Sequence, residues 1–345
     1  MNNYAALILS AAISFAATWA LGYAFIPWLH KLKFGQTILD IGPSWHKKKQ
    51  GTPTMGGLMF IIAVIAAVAV TFISDKLAGG NLVVGSYLVP SEIRSKIYSG
   101  IIMAVSFGII GFADDYIKVV KKRNLGLSIM QKTVAQVLVC AAYLTSLFLS
   151  MNHKPYTFIP FYGNIELHWT FWIFGFCVIY AAINAVNFTD GIDGLCSSVT
   201  VTAAVSLTVI AVMKGFFGVG TVSAALAGGC AGFLIWNHNP AKVLMGDTGS
   251  MFLGGMLVAV SFALNCPLIL LLVGIIYVIE GMSDVIQITY FKLTHGKRIF
   301  KMAPIHHHFE MSGWNEKKIV CVFTLVNIIG CIAGILVMYF GDAAH

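Results

Sequence analysis

Apolar runs of about twenty residues recur along almost the whole chain, and no other feature limits its fold so tightly. A run of that length, coiled as an α-helix, matches the roughly 30 Å hydrocarbon thickness of a bilayer. Hydropathy places about ten spans, near residues 4–28, 55–73, 95–113, 130–150, 170–187, 195–213, 219–236, 250–264, 267–290 and 319–340. The eighth is short, and the ninth carries Glu280 and Asp284. The ten-residue alternation that marks a membrane β-strand is absent. Charged residues are 10% of the chain, against about 25% in an ordinary soluble domain. The expectation is an all-α, polytopic integral membrane protein, a single transmembrane domain over 1–345 with no internal repeat. The first run has no Lys or Arg ahead of it and is too long for a signal sequence, so it reads as a retained span.

The formal net charge of +8 raises the question of a nucleic-acid partner, but the placement of the charges answers it. Seventeen of the 22 Lys and Arg residues fall in alternate loops on one side, and only Lys76, Arg94, Lys96, Lys154 and Lys214 on the other. The positive-inside rule puts the richer side in the cytoplasm and both termini outside. The basic excess is topological, needs no nucleic acid, and offers a surface to anionic lipid heads and phosphorylated substrates. The seven cysteines lie in or beside apolar runs without metal-ligand spacing, and read as small packing residues.

Chemistry-bearing motifs collect on that basic side. Asn184–Leu195 reads N-A-V-N-F-T-D-G-I-D-G-L and joins two apolar runs, so Asp190 and Asp193 sit where two spans meet water. Each is followed by a glycine, which lets the backbone turn tightly near a ligand. Asn187 and Asp190, three apart, share a side of a helical turn. Asp114-Asp115 closes the third span. Adjacent helical residues project about 100° apart, so the two carboxylates have different tasks, and Asp114 is also placed to pair with Lys118 at i,i+4. Asp247 lies between glycines just before the eighth span, as a helix cap or a metal ligand. Carboxylates from three loops without a thiolate favour a hard cation such as Mg²⁺. His306-His307-His308 has three readings: zinc, proton transfer, or contact with phosphate or sugar. Glu280, Asp284 and Gln287 share one face of the ninth span, and Gly281 beside them is the expected position of a kink.

Five segments, G-T-P-T-M-G-G, F-A-D-D-Y, N-A-V-N-F-T-D-G-I-D-G-L, N-P-A-K-V-L-M-G-D-T-G-S and P-I-H-H-H-F-E, together resemble the phospho-N-acetylmuramoyl-pentapeptide transferases. That family lies within the polyprenyl-phosphate hexosamine-1-phosphate transferases, which share the acidic motifs. The resemblance implies transfer of phospho-MurNAc-pentapeptide from its UDP carrier to undecaprenyl phosphate, giving lipid I and UMP at the cytoplasmic face of the bacterial inner membrane. It implies Mg²⁺ held by Asp247, with Asp114 preparing the lipid phosphate for attack and Asp115 supporting it. It places Asn187, Asp190 and Asp193 toward nucleotide or metal, Lys49, Thr54 and His306 near phosphates or uridine, and Gln287, His307 and His308 among the substrate contacts. It is compatible with a homodimer. Leu244 departs from members with Phe beside the uracil pocket, which concerns only a stacking contact. A sister enzyme acting on UDP-N-acetylglucosamine and an ion-coupled transporter are the alternatives. A transporter predicts paired interrupted spans in two halves, and no such duplication is visible.

Overall fold

The computed structural model describes residues 2–31, 51–85, 89–121 and 125–342. Lys49 and the basic residues between 32 and 50 lie outside them. Among the described residues the helices are α1 (Asn3–Lys31), α2 (Gly57–Leu77), α3 (Pro90–Val120), α4 (Ile129–Ser150), α5 (Thr170–Thr189), α6 (Leu195–Met213), α7 (Phe217–Asn237), α8 (Gly246–Ala263), α9 (Leu270–Val273), α10 (Ile275–Leu293), α11 (Ile305–Glu310) and α12 (Glu316–Asp342). Nine are long and apolar enough to cross a membrane, and Pro267–Val273 with Ile275–Leu293 form a further apolar pair bent by 89°, a broken span or a re-entrant loop. This is an all-α membrane protein, as its hydropathy predicts.

Two helices form the centre. α8 buries every residue from Thr248 to Ala263, and α7 all but a few. Lipid tails are as apolar as leucine, so burial alone does not join membrane helices; close backbone approach does. The α8 sequence supplies that approach on three sides. A methyl on Gly249 would crowd Gly57 of α2, one on Gly254 would crowd Ile183 of α5, and one on Gly255 would crowd Ala104 of α3. Along α7, Gly220, Gly228 and Gly232 receive Leu7, Ala11 and Phe15 of α1 in the same way.

The bend in the ninth span falls at Gly274, not at the expected Gly281. Gly281 serves another purpose: its bare Cα lets α10 lie against Ala185 of α5. At Gly274 the helix stops (φ −119°, ψ 32°) and its backbone groups lose their partners. Asn327 of α12 replaces them. Its amide donates to Val273 O at 3.0 Å, and its oxygen accepts from Ile276 N at 3.4 Å. Broken membrane helices persist where a side chain re-satisfies the backbone in this manner.

A small hairpin, β1 (Tyr156–Ile159) antiparallel to β2 (Gly163–Glu166), was not expected from the sequence. Four-residue strands are too short to show alternation. It is fastened at the end of the bundle away from the acidic motifs. Phe158 N donates to Asn265 O at 2.6 Å, and Tyr156 Oη donates to Glu92 at 3.1 Å. Lys96, fully buried, pairs with that Glu92 carboxylate and with the Asn265 side chain.

Candidate active site

Asp114, Asp115 and Asp247 converge at one end of the bundle, each offering a carboxylate oxygen within 4.8 Å of the others. Two glycines make this possible. A methyl on Gly111 of α3 would overlap the Asp247 carbonyl, and one on Gly246 would overlap the Asp115 carboxylate and Thr54 Oγ1. Gly246 also has φ +69°, a conformation glycine adopts without strain. The last turn of α3 and the first turn of α8 thus cross almost backbone to backbone.

The neighbouring aspartates have different partners, as their angular separation requires. Asp115 Oδ2 accepts from Thr248 N at 2.9 Å and Thr248 Oγ1 at 2.7 Å. The carboxylate that caps α8 therefore comes from α3, and Asp247 is free of the capping task. Asp114 Oδ1 accepts from Leu127 N at 2.8 Å, while Oδ2 meets the Lys118 ammonium. Asp247 is the more open of the three, its side chain 20% exposed against 5% for the other two. Its Oδ1 accepts from Asn187 Nδ2 at 2.9 Å, and its Oδ2 from Lys132 Nζ at 2.8 Å and Lys118 Nζ at 3.2 Å. Asn187 also donates to Ser250 Oγ at 2.8 Å, which fixes α5 on α8 beside the cluster.

Lys132 stands in the first turn of α4, where a cation opposes the helix dipole. The Ser128–Gln131 capping box sets that turn, and Asp247 accounts for the lysine. Lys132 and Thr248 are site residues that motif reading passed over, whereas the i,i+4 spacing of Asp114 and Lys118 gave their pairing. The misplaced charge on α4 was the one signal that would have found Lys132.

The donor set suits a hard divalent cation. It consists of carboxylate oxygens without sulfur. The Lys118 ammonium already sits among them, touching Asp114, 3.2 Å from Asp247 and 4.0 Å from Asp115, as a positive charge in a cation's place.

The other motif residues form a rim. Thr54 lies in the segment after Gly51, which pairs with the approach to α8: Leu244 N donates to Pro53 O at 2.8 Å, and Gly56 N to Leu244 O at 2.9 Å. Asp190 is the C-terminal cap position of α5. Asp193 Oδ2 accepts from Ala241 N at 3.0 Å and Asn239 Nδ2 at 3.2 Å, and Glu316 of α12 accepts from Asp193 N at 3.2 Å. These bonds tie the α5–α6 turn to the α7–α8 turn. The Gln287 oxygen accepts from Ile299 N at 3.2 Å and Phe300 N at 3.0 Å, pinning the loop before α11.

The three histidines do not converge. His306 Nδ1 lies 3.0 Å from Glu280, His307 Nδ1 2.6 Å from Glu310, and His308 Nδ1 accepts from Lys301 N at 3.1 Å. His306 is fully buried, and its ring meets Gly191 of the α5–α6 turn. The contacts therefore run continuously from Asp247 through Asn187 and the Asp190-Gly191 turn to His306.

Comparison with known proteins places the chain in a family. Residues 97–265, from α3 to the end of α8, match Glycosyl transferase family 4. Residues 49–61 match the phospho-N-acetylmuramoyl-pentapeptide-transferase signature 1. A phospho-N-acetylmuramoyl-pentapeptide-transferase of Acetivibrio thermocellus is 45% identical over 326 residues, covering 93% of this chain and 92% of the relative. One from Desulforamulus reducens is 41% identical over 339 residues, with 97% and 96% covered. One from Listeria monocytogenes is 43% identical over 336 residues, with 97% and 98% covered. With that identity over nearly its full length, and an acidic cluster built between α3 and α8 inside the matched region, the chain belongs to the phospho-N-acetylmuramoyl-pentapeptide transferase family.

Proposed function

We propose that this transferase moves phospho-MurNAc-pentapeptide from UDP-MurNAc-pentapeptide to undecaprenyl phosphate, producing lipid I and UMP at the cytoplasmic face of the inner membrane. The observation that carries the reading is the Asp114, Asp115, Asp247 cluster, flanked by Lys118 and Lys132, at one end of the helix bundle. A lipid phosphate anchored in the bilayer and a soluble nucleotide sugar meet only at such a depth. Four elements contribute: α3 and α8 supply the carboxylates, α5 supplies Asn187, and α4 supplies Lys132.

Asp247 would hold Mg²⁺, with Asp114 and Asp115 beside it. When bound, the ion supplies charge neutralisation for a pyrophosphate and for the leaving phosphate. The chain's own groups do the rest. Lys118 and Lys132 draw the anionic substrates to the cluster. Asp115 holds the first turn of α8, and Asn187 orients the Asp247 carboxylate. Asp114 Oδ2 accepts the proton of the lipid phosphate as a phosphate oxygen forms its bond to the β-phosphorus. The bond between that phosphorus and the bridging oxygen breaks, and UMP departs with the electron pair. A carboxylate engaged with a metal ion is a poorer nucleophile, which favours direct displacement over attack by Asp247 itself.

The test is to incubate the pure, delipidated protein with UDP-MurNAc-pentapeptide, Mg²⁺ and undecaprenyl phosphate and to follow UMP. UMP and lipid I are expected only when the lipid is present. Absence of UMP with all components, or preference for UDP-N-acetylglucosamine, overturns the reading. One equivalent of UMP released without lipid, and lost in Asp247→Asn, makes Asp247 the nucleophile.

A further inference from the structure

The ninth span carries a buried acid that the scheme above leaves without a task. Glu280 and His306 are both fully buried, with Glu280 Oε2 3.0 Å from His306 Nδ1. Two atoms of this pair, Glu280 Oε1 and His306 Nε2, have no hydrogen-bond partner, although both are sealed from solvent. A buried polar atom left unpaired costs about 1–3 kcal/mol, so a native site that keeps two of them calls for an explanation.

The direction of the ring supplies it. His306 Nε2 points at Gly191: any side chain there would overlap Nε2 and the adjoining ring carbon. Gly191 follows Asp190 in the turn that ends α5, one helical turn beyond Asn187, the partner of Asp247. The free nitrogen is therefore aimed at the wall of the acidic site, and the paired nitrogen faces away from it into α10. Three local features hold this alignment. Gly281, next to Glu280, seats α10 on Ala185 of α5. Pro304 is the N-cap of α11, two residues before His306. His307, with its ring centroid 4.1 Å from that of His306, is itself held by Glu310.

We propose that Glu280 is a positioning residue of the transferase site, acting through His306. A carboxylate only accepts, so Nδ1 carries the proton, and in the neutral ring Nε2 is left as a lone-pair acceptor. With no hydrogen on Nε2, Gly191 can lie directly against the ring, and the tautomer thereby seats the Asp190-Gly191 turn, which follows Asn187, against the site. The relation is that of a carboxylate that sets the tautomer of a working imidazole from behind. The inference rests on the transferase reading for its activity, while its structural core, the tautomer, stands on the protein alone.

The experiment uses the full-length protein in detergent with ¹⁵N-labelled histidine, the His306 signals being identified by their loss in His306→Gln. In the wild type, Nδ1 is expected to be protonated and Nε2 to show the shift of an unprotonated acceptor. Glu280→Gln, an isostere that places an N–H opposite Nδ1, should reverse the two nitrogens and lower kcat at least tenfold. Its thermal midpoint should stay close to the wild type, and in the His306→Gln background the same change should cost nothing further. A wild-type ring protonated at Nε2 overturns the proposal. So does a Glu280→Gln protein with an unchanged tautomer, or with full kcat despite a reversed one. Glu280→Asp, which keeps the charge but retracts it, gives a second readout: retention of full kcat and of the wild-type tautomer argues against positioning by the carboxylate. A wild-type protein inactive with both nucleotide sugars sinks the transferase reading instead and leaves the tautomer result intact.

Discussion

Asp247 and Asp193 are both acids at the basic end of the bundle, yet their surroundings set them apart. Asp247 faces two ammonium groups and one amide in the more open corner of the cluster. Asp247→Asn is expected to leave the fold intact and lower turnover on the order of 10²–10³-fold, the usual loss when one preorganised charge is removed from a site. The remaining rate should also lose its dependence on Mg²⁺. Steady-state assays across a Mg²⁺ series check this, and near-wild-type turnover with unchanged Mg²⁺ dependence counts against it. Asp193 spends its carboxylate on Ala241 N and Asn239, which join two turns. For Asp193→Asn we predict the opposite pattern, kcat within about threefold and a stability loss of about 1–3 kcal/mol, seen as a lower thermal midpoint. A large fall in kcat without a thermal shift would return Asp193 to the substrate-contacting group. Sequence reading placed the two acids on one face but could not separate them. The distinction lies in which loop amides and lysines arrive from helices more than forty residues away.

At the scale of elements, the break between α9 and α10 depends on one side chain of a third helix. Asn327→Leu removes the groups that serve Val273 O and Ile276 N inside the bundle, and is expected to cost about 1–3 kcal/mol for each atom left bare. Thermal unfolding in a fixed detergent measures it, and an unchanged midpoint would mean that water or the neighbouring helices satisfy the break. Hydropathy located the nine long apolar helices and the bent pair, because a bilayer demands a length of apolar chain and little else. It misplaced the kink because two glycines of one span have unrelated uses, Gly281 for contact and Gly274 for a change of direction. Nothing local distinguishes them; the decisive residue, Asn327, is some fifty positions away. The hairpin escaped for a related reason. Its strands are held by Glu92 and Asn265, which are distant in sequence and carry no strand signal of their own.

For the molecule as a whole, the distribution of Lys and Arg predicts the acidic cluster inside and both chain termini outside. Single cysteines at Lys121, exposed at the end of α3, and at Lys154, beyond α4, report on opposite faces once the native cysteines, including exposed Cys177 and Cys321, are replaced. An impermeant thiol reagent added to intact cells should label position 154 and spare position 121; the reverse pattern would invert the proposed site. The 89° turn at Gly274 has a kinetic corollary. α10 leaves the axis of the segment before it and carries Met282, Val285, Ile286 and Ile288 exposed on its outer face. Under the proposed function, a prenyl-chain acceptor is expected to reach the cluster by travelling in the plane of the membrane. The quantity that saturates the enzyme is then the acceptor's mole fraction in the micelle or bilayer. Adding inert detergent at constant total acceptor should slow turnover in proportion to the dilution while leaving the KM for the water-soluble sugar nucleotide unchanged, and a rate that follows bulk acceptor concentration alone would show that the lipid enters from water.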